Sequence, residues 1–329
     1  VSTRATDAAD TRKAARERQM RRRRRRVAIG ALIVVLLAAL VLLVPRVILS
    51  TAAVDAAPAG PGVVVGGVYE RAPVAQELPV PQLAVVAAAA LCDEPAVQAA
   101  LAARDDEAVV EAAGGGESFR AAVIAGAAPC ISLSDPARRW VVVDKLRPLS
   151  PLDYEPANLG SLSQVTSLNG GHLRQDADAA LSALGAGAAA AGVGDVAVLS
   201  SYRSYRTQVS TYAQHVDDEG QAVADAGSAR PGYSEHQTGL ALDMVACGRG
   251  CGGLDDFGAT AQGQWVAQHA WEYGFIVRYE DGYMGVTGYE SEPWHLRFIG
   301  PALAKAYHDG GFHTLEDFFG LPPAPDYAG

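Results

Sequence analysis

Apolar and polar positions alternate with readable periods only in the part of the chain beyond residue 82. Over 82–113, Ala, Leu and Val recur among charged residues at helical spacing. Three glycines at 114–116 interrupt that period, and 118–125 resumes it, which predicts a small helical module over 82–135. From Trp140 the texture changes. Residues 140–144 read as a strand with 145–149 as its exit, and 196–201, 240–245, 275–279 and 295–299 read as further strands. Helices are expected over 176–191, 205–216 and 263–273. Strands and helices mix without a βαβ rhythm, so the expected fold is α+β: a small mixed antiparallel sheet with flanking helices.

The N-terminal part follows a different logic. Residues 27–44 run for eighteen positions without a charge, and as a helix they would rise about 27 Å, close to the thickness of a bilayer core. One transmembrane helix therefore precedes the helical module in the expected fold. Residues 1–26 hold eleven basic against three acidic residues, ending in the run Arg21 to Arg26, so this head is net +8. Basic residues beside a span stay in the cytoplasm, which places the head inside and everything after Pro45 outside the cell membrane. A cleaved signal peptide is the alternative, with Ser50-Thr-Ala-Ala-Val-Asp-Ala-Ala as a small-residue cleavage site. Residues 45–81 are rich in Ala, Pro, Gly and Val and read as a linker.

The net charge of -10 leaves -18 on everything beyond the head, which argues against a nucleic-acid partner for the folded part. An apolar fraction of 49% is enough for real cores. Cys92, Cys130, Cys247 and Cys251 are an even set in an exported chain. Pairing by proximity gives Cys92–Cys130 and Cys247–Cys251, and the wide 92–130 spacing disfavours a four-thiolate zinc site.

The candidate chemistry lies in two stretches. Ser234-Glu-His-Gln-Thr-Gly-Leu-Ala-Leu-Asp243 sets an imidazole, His236, seven residues before a carboxylate, Asp243, with Gly239 able to turn the chain between them. Glu292-Pro-Trp-His295 offers a third ligand and a second carboxylate. Catalytic zinc commonly keeps three protein ligands, so His236, Asp243 and His295 form a candidate set. Glu292 is then the candidate base for the attacking water. Residues three apart on a strand point to opposite sides, so Glu292 and His295 can share a site only if the strand bends.

These residues complete a pattern. The chain resembles the VanY-type D-alanyl-D-alanine carboxypeptidases, in the group of zinc peptidases with the VanX dipeptidases and the hedgehog zinc fold. Ser234, His236, Gly239, Ala241 and Asp243 match one signature of that group, and Glu292 to His295 match the second. Ser201-Tyr-Arg-Ser-Tyr-Arg-Thr-Gln208, the segment 271–279 and Arg297-Phe-Ile-Gly300 also look like family segments. The resemblance runs from about Trp140 to Phe312 and implies one zinc ion held by His236, Asp243 and His295. It further implies Glu292 as the base, Arg203 polarising the scissile carbonyl, and Gln208 and Ser234 holding the substrate's end. Phe298 and Glu280 stand where the family often has Tyr and Pro. His172, His215, His269, His308 and His313 are expected to be structural or surface residues. The loop closed by Cys247 and Cys251 reads as a local elaboration near the site.

The chain thus divides into a basic head (1–26), a span (27–44), a linker (45–81), a helical module (82–135), a zinc carboxypeptidase domain (136–320) and a tail (321–329). The resemblance implies an enzyme acting on peptidoglycan stem peptides that end in D-Ala-D-Ala, the basic head and span place it as a membrane-anchored enzyme outside the cell, and a monomer is expected. Rivals are a D,D-dipeptidase or peptidoglycan endopeptidase of the same fold, and a wall-binding module that keeps zinc without catalysis. The last predicts loss of the base or of Arg203, and both residues are present.

Overall fold

A computed structural model describes residues 90–328. The head, the apolar run 27–44, the linker and the start of the helical module lie outside the described residues. Among the described residues, no helix is long and apolar enough to cross a membrane.

The described residues form seven strands in chain order: β1 (Leu159–Ser161), β2 (Thr166–Ser167), β3 (His172–Arg174), β4 (Asp195–Ser200), β5 (Ala241–Cys247), β6 (Phe275–Tyr279) and β7 (Glu292–Phe298). β1 and β3 pair as a small antiparallel ribbon. The other five form one sheet in the order β2-β4-β5-β7-β6, antiparallel except where β2 meets β4. The mixed sheet and flanking helices are those expected. β5 lies at its centre, flanked by strands on both sides, which explains why it reads as an almost continuous apolar run.

One face of the sheet is the main core. Ala177, Leu181, Leu184 and Ala188 recur every three or four residues along the helix Gln175–Ala190 and are all buried. Leu181 and Leu184 pack with Val196 and Val198 of β4, Leu242 and Met244 of β5, and Leu296 of β7. Side chains alternate along a strand, so Asp243, between Leu242 and Met244, is turned to the opposite face. A carboxylate in the central strand is costly to bury unless something pairs with it.

The helical module consists of Ala90–Asp93, Pro95–Ala103, Asp106–Ala112 and Gly116–Ile124. The bridge Cys92–Cys130 ties it to the following loop, and Cys247–Cys251 closes the second pair. Val97, Val109 and Phe119 share a core with Trp140, Ile299, Leu303, Tyr307 and Phe318, so these helices pack against the segments that follow β7.

Residues 140–144 are not a sheet strand. Trp140 to Val143 are each no more than 2% exposed, but Val142 N donates to Leu133 O and Asp144 bridges only to Arg147. Deep burial selects the same β-branched residues that a strand does, so the pattern misreads a buried connector as sheet. The helix expected over 263–273 divides into the α-helix Ala261–His269 and the 3-10 turn Ala270–Tyr273.

Candidate metal centre

Asp243 and His295 face each other across β5 and β7 as direct antiparallel partners. His295 Nδ1 lies 3.2 Å from Asp243 Oδ1. His236 arrives from the 3-10 turn Glu235–Thr238, which ends at Gly239 in the left-handed region (φ 68°). The positive φ is what calls for glycine at this turn into β5, since the closest atom that a Cβ at Gly239 would meet is the movable end of Leu159, at 2.8 Å. His236 Nδ1 sits 2.7 Å from the Ser201 carbonyl, which can only accept, so Nδ1 carries the proton. That leaves Nε2 as the free lone pair, 3.4 Å from Asp243 Oδ2.

The two imidazoles stand nearly perpendicular, with ring centroids 4.9 Å apart, and the three ligand atoms offered lie within 4.8 Å of one another. Two donors each about 2.0–2.1 Å from a tetrahedral ion would be about 3.4 Å apart, so this triad fits zinc in spacing and in its two-nitrogen, one-oxygen chemistry. All three side chains are buried. Burial opposes the charge on Asp243, but His236 and His295 hold its carboxyl well below the usual range. Burial likewise lowers His236 and favours its neutral form.

Glu292 Oε2 lies 3.7 Å from His295 Nδ1, so the required bend is present. Between the pairs Val277↔Leu296 and Tyr279↔Glu292, β6 advances two residues while β7 advances four. This bulge contains Pro293, which has no N–H for the ladder, and it swings Glu292 round to the side of His295. Burial pushes the Glu292 carboxyl up to about 8; His295 and Arg203 pull against this and Asp243 adds to it.

Arg203 sits between β4 and the helix Tyr205–Glu219, which Ser204 caps through its hydroxyl. Its guanidinium lies 3.9 Å from Asp243 Oδ2, with NH1 donating to Gln208 Oε1 at 2.8 Å and NH2 to Ser200 Oγ at 3.0 Å. Gln208 is fully buried, and its Nε2 donates to Ala229 O at 2.6 Å, so both ends of the amide are engaged inside the protein. Ser234 is buried directly before the turn that carries His236. Glu292, Arg203 and, through Arg203, Gln208 are thus linked to the triad, while Ser234 is placed only by its position before the turn.

A layer of charge behind the triad escaped the sequence reading. Glu235 Oε2 lies 3.3 Å from His295 Nε2, while its Oε1 accepts from Arg278 Nε and Arg297 NH1, both at 2.9 Å. Arg278 also forks onto Glu316, at 2.9 and 2.7 Å. Burial opposes the charge on Glu235, but Arg297 and Arg278 hold it well below the usual range. The available signal was an arginine inside each of two apolar strands, β6 and β7. The remaining five histidines behave as expected: His215, His269, His308 and His313 are surface residues, each beside a carboxylate, and His172 is exposed on β3. The Cys247–Cys251 loop closes the far end of β5, about 13 Å along the strand from Asp243.

Two imidazoles and a carboxylate converging on one point, with a second carboxylate on one side and a guanidinium on the other, are an arrangement suited to metal-assisted hydrolysis. The model of the VanY family, D-alanyl-D-alanine carboxypeptidase, matches residues 170–301 and so includes every one of these residues. YodJ of Bacillus subtilis, provisionally named a carboxypeptidase, is 36% identical over 192 residues, covering 57% of this chain and 69% of that protein. A D-alanyl-D-alanine carboxypeptidase of Enterococcus faecium is 33% identical over 127 residues, 39% of this chain and only 37% of its own length. Among solved structures, the LdcB LD-carboxypeptidase is 36% identical with a TM-score of 0.52, over 57% of this chain and 88% of that one. The chain belongs to the VanY family, and it is a peptidase.

Proposed function

We propose that this protein is a zinc-dependent D-alanyl-D-alanine carboxypeptidase that removes the terminal D-alanine of peptidoglycan stem peptides. The observation that carries this reading is the placement of Glu292 3.7 Å from His295 beside the triad, within the stretch matched by the family model. His236, Asp243 and His295 would hold one zinc ion, which when bound supplies Lewis acidity to a water and to the scissile carbonyl.

The chain's own groups divide the remaining work. Glu292, ionised beside the bound metal, accepts a proton from the attacking water and delivers it to the leaving amine. Arg203 donates to the carbonyl oxygen as negative charge develops there. Gln208 and Ser200 hold the guanidinium in place, so Gln208 supports the substrate through Arg203, and Ser234 holds the substrate's end directly. The buried Glu235 cluster keeps the metal-binding face rigid. The head and the run 27–44 anchor the enzyme in the cell membrane as a monomer, with the folded part outside facing the stem peptides.

A second reading has a specific observation behind it, because the LdcB structure is that of an LD-carboxypeptidase. Both activities release D-alanine, one from a stem ending in two D-alanines and the other from a stem ending in one. Release should be compared on pentapeptide and tetrapeptide stems, with free D-Ala-D-Ala and cross-linked fragments alongside. Preference for the pentapeptide supports the D,D-activity. Preference for the tetrapeptide replaces it with the L,D-activity, and cleavage of the dipeptide or cross-links alone points to a dipeptidase or endopeptidase.

A further inference from the structure

The carboxylate of Glu235 has two oxygens with different duties. Oε1 is taken by two cations at once, Arg278 Nε and Arg297 NH1, each at 2.9 Å. Oε2 is left to face His295 Nε2 at 3.3 Å. Arg297 is itself fixed, since its NH2 donates to the carbonyls of Arg139 and Val141 at 2.9 and 2.8 Å. Arg278 is fixed by its fork onto Glu316. Glu235, Arg278, Arg297 and Glu316 are all no more than 2% exposed, so no water competes for these contacts.

We infer that Glu235 is a positioning residue that sets the tautomer of His295, reserving Nδ1 for the metal by holding the ring proton on Nε2. An ionised carboxylate only accepts, so whatever faces Oε2 must be an N–H. With the proton on Nε2, the lone pair is on Nδ1, the nitrogen 3.2 Å from Asp243 Oδ1 and 3.7 Å from Glu292 Oε2. A partner that fixes the unligated nitrogen of a metal-binding histidine is a recurrent device, and its loss commonly costs 10–100-fold in metal affinity. His236 has the same arrangement with the nitrogens exchanged, its Nδ1 proton held by the Ser201 carbonyl.

This geometry makes Glu235→Gln informative. Two guanidinium N–H groups demand an acceptor, so the new amide must turn its oxygen toward Arg278 and Arg297. Its NH2 group then faces His295 Nε2, which has to become an acceptor. The ring proton moves to Nδ1, where it blocks the ligand position. The variant keeps size, shape and both arginine contacts, so a purely structural role for Glu235 predicts near-normal metal binding once the variant folds.

The inference rests on the zinc reading of the triad, and its test reads metal affinity and ring nitrogens rather than turnover, so failure of the substrate assignment would leave it standing. Zinc affinity of the full chain should be measured by chelator competition for the native protein and Glu235→Gln, with thermal melts to confirm folding. A folded variant that loses 10-fold or more in affinity is the expected result, and a folded variant of native affinity overturns the inference. Should the variant not fold, 15N–1H spectra of the zinc-loaded native protein decide. A proton on Nε2 of His295 with Nδ1 ligated supports the inference, and the reverse assignment overturns it.

Discussion

Asp243 and His295 are direct partners across the central strand pair, with His295 Nδ1 3.2 Å from Asp243 Oδ1. Two of the three proposed ligands are thus fixed by sheet register, and a slip of one residue would send one of them into the apolar core. Asp243→Ala should abolish stoichiometric zinc binding while the sheet stays folded, because it also removes a buried charge. Metal content after dialysis and circular dichroism would check this; full zinc occupancy would remove Asp243 from the ligand set.

Glu292→Gln keeps the shape of the side chain but cannot take a proton. Zinc content should be unchanged and kcat should fall about 10²–10⁴-fold, the range expected for loss of a general base. Steady-state kinetics on a stem peptide would decide, and a variant that turns over normally would remove Glu292 from the mechanism.

Arg203→Lys retains a positive charge but loses the planar fork that Gln208 and Ser200 hold. The expected outcome is a drop in kcat of about 10²–10³-fold, with a smaller change in KM, as for a lost oxyanion donor. Gln208→Ala should act in the same direction and more weakly, because it disturbs the same guanidinium. A change confined to KM in both variants would instead make Arg203 a ground-state binding residue.

In the metal-free protein, burial opposes a charge on His295, but hydrogen bonds to Asp243 and Glu235 outweigh it and raise His295 to about 9. Below that pH a proton occupies the nitrogen that the metal needs, so binding must displace it. Zinc affinity should therefore climb with pH through the neutral range and level off above about 9. Calorimetry at pH 7 in buffers of different ionisation enthalpy should show about one proton released from this site. An affinity that does not change with pH would contradict the arrangement.

Arg278→Met removes one cation from between two fully buried carboxylates, leaving Glu316 without its fork and Glu235 with Arg297 and His295 only. Breaking a buried pair from one side costs about 3–5 kcal/mol. Denaturant unfolding should register a loss of that size, and a loss below about 1 kcal/mol would mean that water enters the cluster to solvate the abandoned charges.

How much of this was legible in the sequence varies with the residue. His236, Asp243 and His295 stand out because their motifs are long and ordered, and the apolar runs around them give β4 to β6 within two residues of their observed bounds, while β7 begins three residues before the expected strand. Glu292 was legible as a residue but not as a geometry, since strand alternation puts it on the wrong side and only the two-residue bulge at Pro293 corrects that. Glu235 was hidden by its place next to a histidine, where an acid looks like filler. Its partners Arg278 and Arg297 are 43 and 62 residues away, a pairing that only the sheet creates. Residues 140–144 misled for the opposite reason: burial alone gave them the composition of a strand.

The most direct test is release of D-alanine from a stem pentapeptide by the purified full chain, before and after removal of metal by a chelator and again after zinc is added back. One D-alanine per peptide, lost with the chelator and restored by zinc in the native enzyme but not in Glu292→Gln, is the predicted result. Release that persists in the fully metal-free protein, or no release from any stem peptide with one zinc bound, would contradict a zinc carboxypeptidase.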